Sequence, residues 1–365
     1  MASGNSAEAA VASWPRPVLA FWRSALRPYE PAMLIVLVYF LAAQILAASR
    51  GDTLSVGIVG YAQQLGLIFP ILICIWLVAQ FVRMAVVERP ERPISAFGQL
   101  LKRLVLHPQR WANALFFLST IMLLSTAFSY FKAQIPALMP FSWDIAFDRA
   151  DVLLHGGKRP WELLQPVLGH PLASMLVNVA YNGWFFAMIG VWLLLAFTLH
   201  EKAPRQQFLL AFIMTWIVGG TVLAIVFSSA GPCYFGKIVA GADPYRALLD
   251  YLVSANAGSH TIWALDTQAM LWQGYLSNGE ELAGISAMPS MHVATATLFI
   301  PLALRMAPRL AWLAVVFFLM ILIGSVHLAW HYAVDGYLGA SIALGCWWIS
   351  GKLVGHHDKA ACEPA

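Results

Sequence analysis

Long apolar runs alternate along this chain with short polar breaks. A helix rises 1.5 Å per residue and needs roughly 20 mainly apolar residues to cross the hydrocarbon of a bilayer. Runs of that kind cover about residues 32–49, 63–85, 112–131, 173–198 and 207–229, and the pattern resumes at 290–306. From Leu310 to Leu353 the sequence is almost continuously apolar. As a single helix that stretch would be about 65 Å long, roughly twice the hydrocarbon thickness, so it must divide into two spans. Its most polar stretch, His327 to His331, is where the turn is expected. The pattern predicts an all-α polytopic membrane bundle of about eight helices. Two longer segments, Ala133–Pro171 and Ala230–Met288, mix charge with Trp, Leu and Pro and are expected to fold as caps or short interfacial helices.

Composition narrows the class. Hydrophobic residues make up 60% of the 365 positions and charged residues only 11%, against about 25% charged in ordinary soluble domains. The net charge of +4 is spread along the chain, which argues against nucleic acid as a partner. Cys74, Cys233, Cys346 and Cys362 form no C-x-x-C pair and read as small buried hydrophobes rather than as a disulfide or zinc framework. Up to about Met33 there is no compact basic, apolar and cleavage-site pattern, so the first span is expected to remain as an anchor.

Lys and Arg favour cytoplasmic loops. With eight alternating spans, fifteen of the 22 basic residues fall on the side of the two termini and seven on the other. Both termini are therefore expected in the cytoplasm. Both long segments then face the opposite side, the periplasm if this is a bacterial inner membrane, or a lumen.

Two polar clusters border that opposite side. One is Ala287-Met288-Pro289-Ser290-Met291-His292, just before an apolar run; the other is His327-Leu328-Ala329-Trp330-His331-Tyr332-Ala333-Val334-Asp335, at the turn into the last span. His331 and Asp335 are four apart, the spacing that puts two side chains on one helix face. A carboxylate on one imidazole nitrogen fixes the tautomer and leaves the other nitrogen free as a nucleophile. Ser290 is a suitable N-cap, and the amides behind it favour an anion such as phosphate. His292, in that first turn, is placed to protonate a leaving oxygen. His327, four before His331, is a candidate phosphate ligand or a polar turn residue, while Lys158, Arg159 and Lys237 are candidate phosphate partners in the long segments. Asn178, Tyr181 and Asn182, inside the fourth span, are expected to bond neighbouring helices.

Pro-Ser-x-His followed by His-x-x-x-Asp resembles the type-2 phosphatidic acid phosphatase superfamily. The resemblance implies a six-helix catalytic unit over residues 112–353. Residues 1–111 then add two spans and residues 354–365 form a cytoplasmic tail. It also implies that His331 becomes a phospho-histidine, that Asp335 orients it and that His292 is the general acid, with no metal or other cofactor. The phosphatase branch carries an Arg six residues before the nucleophilic His, where this chain has Ser325. Its Lys-x6-Arg-Pro motif is also broken: Arg159-Pro160 is present, but Val152 stands in the lysine position. Developing phosphate charge needs compensation, so these missing cations argue against simple monoester hydrolysis.

Inositol phosphorylceramide synthases and sphingomyelin synthases lack that Arg as well. The segment Ser229-Ala230-Gly231-Pro232-Cys233-Tyr234-Phe235, with Asp243-Pro244-Tyr245, is similar to one in the inositol-transferring members, which brings Tyr234 in as a substrate-binding candidate. The expectation is a lipid phosphotransferase with lipid substrates. The alternatives are a phosphatase acting on phosphatidic acid or a polyprenyl (di)phosphate, a zinc hydrolase using His327, His331 and Asp335, and a transporter without catalysis.

Overall fold

The computed structural model describes residues 16–52, 54–199, 202–257, 261–277 and 284–360, without the side chains of residues 16, 55–65 and 356–360. Cys362, the stretch before Arg16 and the side chains of His356 and His357 lie outside the described residues. The described chain is 84% helical with no strand. The helices are α1 (Arg16–Leu26), α2 (Glu30–Arg50), α3 (Ser55–Arg83), α4 (Pro93–Val105), α5 (Pro108–Leu138), α6 (Asp144–Leu154) and α7 (Pro160–Leu168). They continue as α8 (Pro171–Phe197), α9 (Lys202–Ile217), α10 (Arg246–Asn256), α11 (Trp263–Leu276), α12 (Met291–Met306), α13 (Ala311–His327) and α14 (Ala333–Ala360).

All eight apolar runs are helical, and the long run from Leu310 breaks after His327 as its polarity predicts. Among the described residues seven helical stretches are long and apolar enough to cross a membrane; α12, with 16 residues, is shorter. At 1.5 Å per residue α12 measures about 24 Å, less than the roughly 30 Å hydrocarbon core. It is correspondingly enclosed, packing on α9, α13 and α14 with Val293, Ala294, Thr295, Ala296 and Leu298 buried.

Helix boundaries follow local chemistry. Proline opens α4, α5, α7 and α8, where a missing N–H costs nothing. The left-handed Gly51 closes α2. Beyond Ile217, α9 widens into a π-helical turn over Val218–Leu223, a distortion often found beside functional sites. The core lies among α5, α8, α9 and α12–α14, with α2 and α3 packed on the outside of α5. The two long segments fold as expected, the first into α6 and α7 and the second into α10 and α11.

Candidate active site

The turn between α13 and α14 centres on one carbonyl. Ser325 O accepts the N–H groups of Trp330 and His331 at 3.0 and 3.1 Å. This differs in one respect from the sequence expectation. His331 is not on a helix with Asp335, because α14 begins only at Ala333. The pair forms by another route: Asp335, in the first turn of α14, reaches back to His331. Its Oδ2 lies 3.2 Å from His331 Nδ1 and also accepts the Tyr332 N–H at 3.1 Å. One carboxylate thus covers a free amide at the helix start and fixes the imidazole. Burial pushes the His331 pKa down to about 3; the Ala287 backbone opposes this and the Lys132 charge adds to it. The ring is neutral at physiological pH.

Ser290 is the N-cap of α12, its hydroxyl accepting the Val293 N–H at 3.5 Å. Its own N–H donates to the Asp335 carbonyl at 3.0 Å, which ties the start of α12 to α14. His292 follows in the first turn, with Tyr181 stacked on its ring at 4.7 Å and Trp184 at 4.2 Å. The His292 and His331 ring centres are 6.3 Å apart. Residues some forty positions apart in sequence are therefore neighbours in space.

Both rings open onto a cavity of about 420 Å³. It is also lined by Lys132, Tyr181, Tyr234 and Trp330, and by Met188, Trp192 and Trp216 of the helix core. Lys132 is the functional candidate that motif reading passed over. The available signal was a lone cation closing an apolar run on the same side as both motifs, a costly position beside a bilayer. Its backbone is fixed by close approach: a Cβ on Gly284 would lie 2.4 Å from the Lys132 carbonyl group.

The other candidates divide. Tyr234 lines the cavity and donates its hydroxyl to the Gln268 carbonyl at 2.9 Å. Lys237 is exposed and lies over the Trp272 ring at 4.6 Å, outside the cavity lining. Arg159 grips Asp148 through two bonds of 2.7 and 3.0 Å, so its guanidinium is engaged within the connecting segments. Lys158 is exposed and does not line the cavity. His327 points away from it, its Nε2 2.8 Å from Ser174 Oγ. Among the described residues no group of three or more His, Cys, Asp or Glu is arranged to hold a metal, so the zinc set of His327, His331 and Asp335 is not assembled. Asn178 bonds the Thr261 carbonyl and the Ala264 amide, the expected tie between elements.

A second feature escaped the sequence reading. Asp144, Asp148 and Asp151 lie on α6 at spacings of four and three, which places them along one face. Asp144 accepts the N–H groups of Ala230 and Gly231 at 3.0 and 2.8 Å and the Tyr332 hydroxyl at 2.8 Å. Asp148 takes Arg159 and the Tyr245 hydroxyl. Asp151 accepts the N–H groups of Ala333 and Val334 at 2.8 and 3.0 Å, capping α14 from a distant helix. Burial raises the Asp144 pKa, with the Gly231 and Ala230 amides opposing. Burial likewise raises Asp151, to about 6, against the two amides it caps. Gly231 is obligatory in this frame: its φ is +99° and a Cβ would lie 2.7 Å from the Trp330 carbonyl oxygen.

The PAP2 superfamily profile matches residues 149–349, more than half of the chain. The chain belongs to the PAP2 superfamily. The matched stretch contains Ser290, His292, His331 and Asp335, whereas Lys132, Asp144 and Asp148 precede it. No curated protein and no solved structure matches the chain. PAP2 superfamily members are generally phosphatases or phosphotransferases, which supports an enzyme acting on membrane lipids.

Proposed function

We propose that this PAP2 superfamily protein moves a phosphorylated headgroup, of the inositol phosphate type, from one lipid to another through a phospho-histidine, without a metal. The observation that carries the reading is the Asp335–His331 pair facing His292 across one cavity. In the first step the free nitrogen of His331 forms a bond to phosphorus and the bond from phosphorus to the departing alcohol oxygen breaks. The electron pair goes to that oxygen, which takes a proton from His292. In the second step the acceptor hydroxyl bonds to phosphorus and its proton passes to His292. The P–N bond breaks, and its electron pair returns to His331. Asp335 holds the tautomer and stabilises the positive charge that develops on the ring.

The absence of an Arg at Ser325 favours transfer over monoester hydrolysis. The phosphatase reading differs only in water replacing the acceptor alcohol. Residues 112–353 are proposed as the catalytic unit, with both termini cytoplasmic and the site at the opposite membrane face. The test uses purified protein in detergent with headgroup-labelled phosphatidylinositol, with and without ceramide or diacylglycerol. Phosphatidic acid and a polyprenyl diphosphate are run in parallel. Label in a new lipid that disappears in His331→Ala supports transfer, and free phosphate alone makes the protein a phosphatase. Normal turnover by His331→Ala removes the mechanism.

A further inference from the structure

Phosphoryl transfer requires positive charge on the non-bridging oxygens, and the cations singled out in the connecting segments do not line the cavity. We propose that Lys132, supplied by α5, is the phosphate-binding residue of this site, and that the single net positive charge it leaves there selects a phosphodiester over a phosphomonoester. The proposal rests on the phospho-histidine reading above and adds the substrate charge to it.

Three observations support it. Among the described residues lining the cavity, Lys132 is the one Lys or Arg, and it shares that lining with His292 and His331. Neither a salt bridge nor a hydrogen bond from its ammonium to a described residue is present, in contrast to Arg159 on Asp148. Its charge is also felt by the His331 ring. An ammonium with no partner among the described residues is costly within a helix bundle, and an anion brought by a ligand removes that cost.

The charge balance then points to the class of phosphate. His331 is neutral before attack. Lys132 and the protonated His292 that the mechanism requires bring two positive charges, and the Asp335 carboxylate brings one negative, so the site offers a single net positive charge. A phosphodiester brings one negative charge and balances it. A monoester brings about 1.5 to 2 near neutral pH and leaves an excess in a poorly solvated place. The position of Lys132 is set by the Gly284 contact, which holds the end of α5 against the segment leading into Ser290 and His292.

The experiment compares wild type, Lys132→Met, Lys132→Arg and, as a control, Lys352→Gln, whose parent side chain lies on Trp348 near the far end of α14. With labelled phosphatidylinositol and an acceptor lipid, Lys132→Met is expected to lower kcat/KM by on the order of 10²-fold, and Lys132→Arg by about tenfold or less. Lys352→Gln should match wild type. Phosphatidic acid should be the poorer substrate of wild type, and its turnover at an equal rate would overturn the selectivity. Lys132→Met within threefold of wild type would overturn the binding role, while His331→Ala in the same assay still judges the mechanism separately. Should wild type turn over neither lipid, binding decides. Dimethyl phosphate and inorganic phosphate are titrated against the fluorescence of the cavity tryptophans. Saturable dimethyl phosphate binding that weakens at least tenfold in Lys132→Met upholds the proposal. Equal affinity in the two proteins, or no binding by wild type, overturns it.

Discussion

His327 and His331 stand at opposite ends of one short turn, yet their surroundings differ in kind. Both are buried and both belong to the same sequence cluster. His327 ends α13 and faces Ser174 of α8, where its ring ties two helices together. His331 lies past the turn, where the Ser325 carbonyl directs its backbone, Asp335 holds its ring and the cavity opens in front of it. Residue type and burial are shared, so neither tells the two apart. What separates them is the partner: a neutral hydroxyl makes a strut, whereas a carboxylate opposite an open cavity makes a nucleophile candidate.

Substitutions can test that contrast. The largest effect is expected for His331→Ala, a loss on the order of 10⁴-fold in headgroup transfer, with helicity by circular dichroism unchanged. Asp335→Asn keeps the shape but weakens control of the tautomer, and a loss of about 10³-fold is expected. Asp144→Ala strands two amides and the Tyr332 hydroxyl. It should lower stability by about 2–4 kcal/mol, read as an earlier thermal transition in detergent. His327→Gln keeps a hydrogen-bonding group toward Ser174 and should stay within about threefold of wild-type activity. A hundredfold loss there would erase the contrast between the two histidines.

A pH profile sharpens the same point. His331 has its pKa lowered from 6.5 to about 3. The stability this group contributes is fully present above pH 6.5, where folded and unfolded chains both carry it neutral. It is lost as pH falls toward 3, because the unfolded chain protonates first. The folded ring stays neutral through that window, so kcat/KM should show no acid loss from His331 between pH 7 and 4. Titration of the His331 ring near 6.5 in the folded protein, read by NMR, would contradict its burial.

The bundle was legible because span length and apolarity are local properties. Eight runs gave eight helices, while the shortness of α12 and the helices α1 and α4 outside the runs were not foreseen. The two motifs were legible for a similar reason: Ser290 caps its helix and Asp335 meets His331, although through a turn rather than along a helix face. Lys132 and the three aspartates of α6 were not. Lys132 is about 160 residues before His292 and Asp151 about 180 before Ala333, so their roles depend on contacts that no local period encodes. Arg159 shows the reverse case. Its Arg-Pro pair drew attention to a guanidinium that Asp148 already holds.

Asp151 holds the first two amides of α14 from a helix outside the spanning stretches. The proposed nucleophile is thereby braced from a connecting segment, through amides two and three residues after its ring. A substitution at Asp151 is therefore expected to disturb the imidazole with no change in any spanning helix. Substrate preference in such a protein can drift through its connectors, leaving both histidines and their carboxylate untouched.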